Sequence, residues 1–325
     1  MKKLIPLIIA FIIMAFAVFP PIEIRLPMVS HSAWIWLILI SGCLGLYTIF
    51  TKINVFVKAI SVYLFVSCFF SSAPLISFTS YISIVPLIYF YILCTKIDDW
   101  KPIVRALIII LVLNQLLLLI QWVGRDSLLN FGLKAASCAG TVGNSMQLKS
   151  LMIIATAVLI AITKPRKRYV ALAVLIFLLT SGYATKHNII QHFLYARGPV
   201  WLETFKLYLQ HPIFGWGPAM FKTVFPSLVR GGFEAEGVWS ITHNCWLQLL
   251  FETGAIGFAL VSGFFMYLFV KLKKINLYLF FGLAIIALDM MVHFPTRQIN
   301  CVPIMIVFLA FCERKIKLWQ ALSRK

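Results

Sequence analysis

The tightest constraint on this chain is the recurrence of apolar runs about as long as a bilayer is thick. A helix rises ~1.5 Å per residue and a hydrocarbon core is ~30 Å deep, so roughly 20 mostly apolar residues span it. Ten stretches qualify: 4–22, 33–51, 55–72, 74–95, 102–123, 145–163, 168–183, 246–270, 277–293 and 300–315. The sequence is 62% hydrophobic and 12% charged, an excess that a single globular core cannot hide, because folded surface must still face water. A soluble enzyme, a disordered chain and a secreted disulfide scaffold are excluded. The expected fold class is an all-α polytopic membrane protein of about ten transmembrane helices.

Charge gives the orientation. The net charge is +19, but the cations punctuate apolar runs and do not cluster on a soluble face, so they read as membrane-flanking anchors and not as a nucleic-acid surface. Lys2 and Lys3 precede a first run that ends in Phe19-Pro20-Pro21, not a small-residue cleavage site, which predicts a retained helix. Alternating sides from a cytoplasmic start gathers most of the 29 Lys and Arg on the inner face. They include the short clusters Lys164–Arg168 and Lys271–Lys274. Both termini are then expected in the cytoplasm of a multi-pass inner-membrane protein. The seven cysteines show no CxxC spacing and suggest neither a zinc site nor a disulfide framework. Cys138 and Cys245 both fall outside the expected spans, where two free thiols and a pair are the alternatives.

Three segments follow: an N-terminal bundle of about seven spans over 1–183, a long extracytoplasmic loop over 184–245, and C-terminal spans with a basic tail over 246–325. A loop of that length is uncommon unless functional or disordered, and this one is rich in Trp, Phe and Leu. Arg197-Gly198-Pro199 predicts a helix start, since proline suits the first turn. Val200, Trp201, Thr204, Phe205 and Tyr208 recur at helical spacing, with Glu203, Lys206 and Gln210 opposite. His211-Pro212 ends the pattern, which reads as an amphipathic helix on the outer leaflet. Gly215-Trp216-Gly217-Pro218 then turns the chain into a second apolar stretch up to Pro226.

Polar groups inside a membrane are costly and therefore informative. Gln147, Lys149, Glu252, Asp289 and His293 all fall in the outer half of their expected spans, which favours a shared outward-facing cavity over separate snorkelling. His31, His187 and His192 read as solvated, and His211 as a helix terminator. His293 is spaced to pair with Asp289 at i, i+4. His243 stands where the long loop re-enters the membrane, a place suited to a general base. Arg197 sits at a helix N-terminus, where guanidinium, backbone N–H groups and helix dipole together suit a phosphate. Glu234 and Glu236 resemble a metal-binding pair but read as solvated loop acids, so no metal is expected. The chain contains no GxxxxGK[ST], no HExxH and no GxGxxG after a strand.

The stretches Arg197-Gly-Pro-Val-Trp201, His211-Pro-Ile-Phe-Gly-Trp-Gly217, His243-Asn-Cys-Trp-Leu-Gln248 and Glu252-Thr-Gly-Ala-Ile-Gly257 resemble the signature region of the O-antigen ligase and polymerase family. Gly140-Thr-Val-Gly-Asn144 is similar to that family's Gly-Thr-x-Gly-Asn motif. The resemblance implies glycan transfer at the outer face of the cytoplasmic membrane. The donor would be an undecaprenyl-diphosphate-linked glycan, and the acceptor a sugar hydroxyl on lipid A–core or on a growing polysaccharide. By motif, Arg197 would hold the donor diphosphate and His243 would be the catalytic histidine. Three departures stand out. The arginine common in the family is absent at Ser181-Gly182-Tyr183, Ser145-Met146 replaces the usual Pro-Asn, and the chain is short for the family. Lys186 and Lys149 are candidates for the missing charge.

The chemistry fits that implication without a cofactor. A lipid-linked diphosphate is already a good leaving group, so the site needs a cation where charge grows and a base beside the acceptor hydroxyl. The expectation is a single displacement with inversion, with His243 as base and Arg197 as clamp. Arg230, Lys149, Lys186, Asn144, Asn244 and Glu252 are expected to assist at the substrate. Nine residues separate His243 from Glu252, opposite faces on a regular helix, so no direct dyad is expected. Two other readings are open. A solute or ion transporter should carry discontinuous helices, midplane charges and related halves. A non-catalytic partner in polysaccharide export would leave Arg197 and His243 individually replaceable.

Overall fold

The computed structural model describes residues 4–18, 42–45, 47–50, 53–123, 145–164, 197–229, 240–298 and 300–324. These are almost entirely helical and contain no strand. The helices are α1 (Leu4–Val18), α2 (Val55–Ser67), α3 (Pro74–Cys94), α4 (Lys101–Val123), α5 (Ser145–Thr163), α6 (Gly198–Tyr208), α7 (Phe221–Leu228), α8 (Cys245–Ile275), α9 (Leu277–Val292) and α10 (Val302–Leu322). By length and composition, Pro74–Cys94, Lys101–Leu118 and Cys245–Ile275 can cross a membrane. Leu4–Ala17, Val55–Phe70, Gln147–Thr163 and Leu277–Val292 are shorter apolar helices. The protein is thus all-helical and membrane-associated over its described residues. The expected span 168–183 lies outside them, and of 33–51 only 42–45 and 47–50 are described, both helical.

Helix ends follow local chemistry. Asn54 opens α2 by accepting the Phe56 N–H at 2.9 Å, and Asn276 opens α9 by accepting the Tyr278 N–H at 2.9 Å. Both are short polar caps satisfying a first-turn donor. Pro303 lies in the first turn of α10. That helix runs seven residues past the expected end at 315, and its buried Glu313 pairs with Lys317 at 2.5 Å.

The chain divides into two compact units, each discontinuous in sequence. One draws on Met1–Glu23, Leu93–Ile189 and Phe269–Lys325, the other on Ile24–Ile92 and Ile190–Leu268. In the first, α5 is central: it packs against α9, α4 and α10, and Leu151, Ile154, Ala155, Val158 and Ala161 are all fully buried. Gly282 lets α9 approach closely, since a Cβ there would stand 3.0 Å from Ala161 Cβ and Phe308 Cζ. Asp289 is buried, with its carboxylate taking a hydrogen bond from Ser150 and meeting His293 Nδ1 at 2.6 Å. The i, i+4 pairing read from sequence is therefore present, with Ser150 as an added partner.

The second unit has two aromatic-rich cores. Val200, Leu207, Met220, Phe221, Val224, Phe225 and Phe251 form one. Cys68, Phe78, Tyr81 and Val85 form the other. The first core binds α6 and α7 to the start of α8, and that is where the sequence motifs meet.

Candidate functional site

The helix expected after Arg197 forms as α6, with Arg197 at its N-cap and Pro199 in its first turn. Arg197 is 5% exposed, so the guanidinium is held within the fold. The single apolar face expected for this helix divides in two. Val200, Thr204 and Leu207 are buried, whereas Leu202, Phe205 and Leu209 point outward, followed by Ile213. The inner face completes the core with Phe221 and Phe251, and the outer one presents an apolar stripe with the spacing of one helix face.

The following turn, His211 to Gly217, is a clasp around a break in α8. Gly254 takes φ +65° and ψ −171°, a conformation confined essentially to glycine. The break interrupts the i→i−4 ladder, and orphaned buried backbone groups must find partners elsewhere. The loop supplies them. Trp216 N–H donates to Phe251 O at 3.0 Å and Gly217 N–H to Glu252 O at 2.9 Å. In return Pro212 O accepts the Ala255 N–H at 2.8 Å, and Ile213 O the Ile256 N–H at 3.4 Å. Tyr63 Oη donates to Thr253 O at 2.5 Å. The glycines of the turn are required by proximity: a Cβ on Gly215 would lie 2.5 Å from Gly254 N, and one on Gly217 would lie 2.1 Å from Ser71 Oγ. Trp216 also ties the turn back to α6, its indole N–H donating to Leu207 O at 2.9 Å. Ser77 Oγ donates to Pro218 O at 2.9 Å.

Glu252, 6% exposed, lies at this break. Its Oε2 accepts the Ala219 N–H at 3.0 Å and its Oε1 the Gln248 amide at 2.9 Å. A carboxylate accepting such donors is a connector between segments. Gln248 Oε1 accepts the Thr242 N–H at 3.3 Å. Thr242 O in turn accepts the Trp201 indole N–H at 2.7 Å. Asn244 opens α8 by accepting the Leu247 N–H at 3.0 Å. Between Thr242 and Asn244 stands His243, half-buried and left-handed at φ +54°. A hydrogen-bonded chain thus runs from α6, one turn after Arg197, through Thr242 beside His243 to Glu252 and the clasp.

Of the residues singled out from sequence, Arg197, His243, Asn244 and Glu252 fall in this unit. Lys149 is on α5 of the other unit, half-buried and next to Ser150. Asn144, Lys186 and Arg230 lie outside the described residues, as do Cys138, Glu234 and Glu236. Cys245 is buried at the start of α8. Sequence reading placed Trp201 on the apolar face of its helix and Gln248 in the segment after His243, and gave neither them nor Thr242 a part in the site. Of these, Gln248 carried a signal, lying one turn before Glu252 on the same helix face. No protein-family model matches the chain, and no curated protein matches its sequence.

Proposed function

We propose that the protein is an O-antigen ligase- or polymerase-like glycosyltransferase. In this reading it moves a glycan from an undecaprenyl-diphosphate carrier to a sugar hydroxyl, on lipid A–core or a growing polysaccharide. It works at the outer face of the cytoplasmic membrane, with about ten spans and both termini inside. The observation that carries the reading is that the four motif segments around Arg197, His211–Gly217, His243 and Glu252 are bonded into one structure within a single unit.

The chemistry is one displacement at the anomeric carbon. The acceptor oxygen bonds to that carbon as the bond to the diphosphate oxygen breaks, and the hydroxyl proton passes to the His243 imidazole. Arg197 and the N-terminal end of α6 take up the charge that grows on the departing diphosphate. The outward stripe of Leu202, Phe205, Leu209 and Ile213 suits a donor that is an anionic head on an apolar chain. Arg230 supplements the binding of diphosphate or glycan. Asn244 and Glu252, whose oxygens are engaged within the fold, hold the site in shape.

The transporter reading draws on the break in α8, since discontinuous helices mark ion sites in such proteins. Here the Phe251, Glu252 and Thr253 carbonyls at the break each accept a protein donor, which weighs against ion coordination. The deciding experiment measures envelope glycan in cells expressing Arg197→Ala or His243→Ala at normal level. Each should lower transfer by about a hundredfold or more, with Arg197→Lys between because a point charge replaces a bidentate fork. Full glycan in both alanine variants would remove the catalytic reading. Ion-driven flux through the purified protein would favour the transporter.

A further inference from the structure

Two side chains, those of Trp201 and Gln248, converge on the residue before His243. Thr242 is fully buried. Its carbonyl is held by the Trp201 indole at 2.7 Å and its N–H by Gln248 Oε1 at 3.3 Å. Thr242 Oγ1 then accepts the Asn244 N–H at 3.1 Å, closing the turn around His243. His243 itself is left-handed, a conformation its Cβ disfavours and which persists only where the surroundings over-determine it. Ala219, the donor to Glu252, is also left-handed at φ +62°. The two strained residues are thus joined through Glu252, Gln248 and Thr242.

We infer that Trp201 and Gln248 are positioning residues that hold the His243 backbone left-handed and so fix the direction of its imidazole. The inference rests on the proposed function for its catalytic consequence, but its structural content is independent of activity. A change of φ from positive to negative swings the Cα–Cβ bond and moves the ring to a different environment. Releasing Thr242 therefore changes both the direction of the imidazole and the groups that tune its proton affinity. Trp201 serves a second purpose, because it lies one turn after Arg197 and so fixes the spacing of clamp and base.

The test uses the full chain in lipid nanodiscs. Carbethoxylation of His243 by diethyl pyrocarbonate is followed across pH by peptide mass spectrometry, giving its titration midpoint. The variants are Trp201→Phe, which keeps the ring and loses the donor, Gln248→Ala, and Gln248→Met, which keeps the length should alanine fail to fold. Trp216→Phe is the control, since that indole bonds Leu207 O and not Thr242. The inference expects the midpoint to move by at least about half a pH unit in the Trp201 and Gln248 variants, and not in the control. In parallel, kcat for transfer from the lipid-linked donor should fall about tenfold to a hundredfold while KM holds. An unmoved midpoint in both Trp201→Phe and a folded Gln248 variant overturns the inference. A shifted midpoint together with full activity of His243→Ala keeps the positioning role and removes the base role, so the two failures are distinct.

Discussion

Replacing Gly254 with alanine tests the clasp at its tightest point. A Cβ built there would lie 2.2 Å from Ile213 O, 2.4 Å from Ile213 C and 2.5 Å from Gly215 N. All three are backbone atoms with no rotamer to yield. Two escapes exist. The residue can stay left-handed, costing about 1–3 kcal/mol of backbone strain in addition to the clash. Otherwise α8 straightens, and the four cross-segment bonds to Trp216, Gly217, Pro212 and Ile213 are lost at about 1 kcal/mol each. Either route costs roughly 4–6 kcal/mol, a large part of the 5–15 kcal/mol that holds a typical domain. Hydrogen exchange on the full chain reads the effect directly, because the Trp216 and Gly217 amides are the donors across the break. Their protection should fall about a thousandfold, since each 1.4 kcal/mol is a factor of ten. Gly263→Ala is the comparison: its Cβ meets the side-chain ring of Phe56, nearest at 3.0 Å, and not backbone, and helix propensity favours alanine by about 1 kcal/mol. Unchanged protection in Gly254→Ala would refute the idea that this glycine fixes the clasp.

Other consequences are equally open to measurement. Gly45→Ala places a Cβ 1.6 Å from Tyr81 Oη, so it should cost about 2–3 kcal/mol by overpacking, and Tyr81→Phe in the same chain should recover part of that thermal stability. Asp289→Ala strips half-buried His293 and buried Ser150 of their shared partner and should cost about 3 kcal/mol. Asp289→Asn should cost less by the same thermal assay, because it keeps hydrogen-bonding capacity. A cysteine at Lys222, which is exposed on α7, should react with an impermeant maleimide on intact spheroplasts; labelling only after permeabilisation would place the loop in the cytosol and end the glycan-transfer proposal.

Local sequence determined much of the helical framework. The run read as 74–95 is the helix Pro74–Cys94, and that read as 277–293 is Leu277–Val292. The boundaries were legible because a polar cap or a proline ends each apolar run. The helix after Arg197-Gly198-Pro199 was legible for the same reason, as was the i, i+4 pair of Asp289 and His293. Within the candidate site, the residue types of Arg197 and His243 announced themselves by charge and by place.

Tertiary structure alone decided how those residues are held. Nothing in Glu252-Thr-Gly-Ala-Ile-Gly257 distinguishes a broken helix from a continuous apolar one, because an isolated glycine is tolerated in either. The break exists because backbone groups some forty residues away in the chain satisfy its ends. Likewise the left-handed turn at His243 is bonded to an indole on α6 and an amide on α8, partners that no local pattern announces. The two apolar faces of α6 look alike in one dimension, and only packing against Phe221 and Phe251 turned one of them inward. Periodicity and caps are short-range and so are written in the sequence. Hydrogen bonds between distant segments depend on which surfaces meet, and that is known only once the chain has folded.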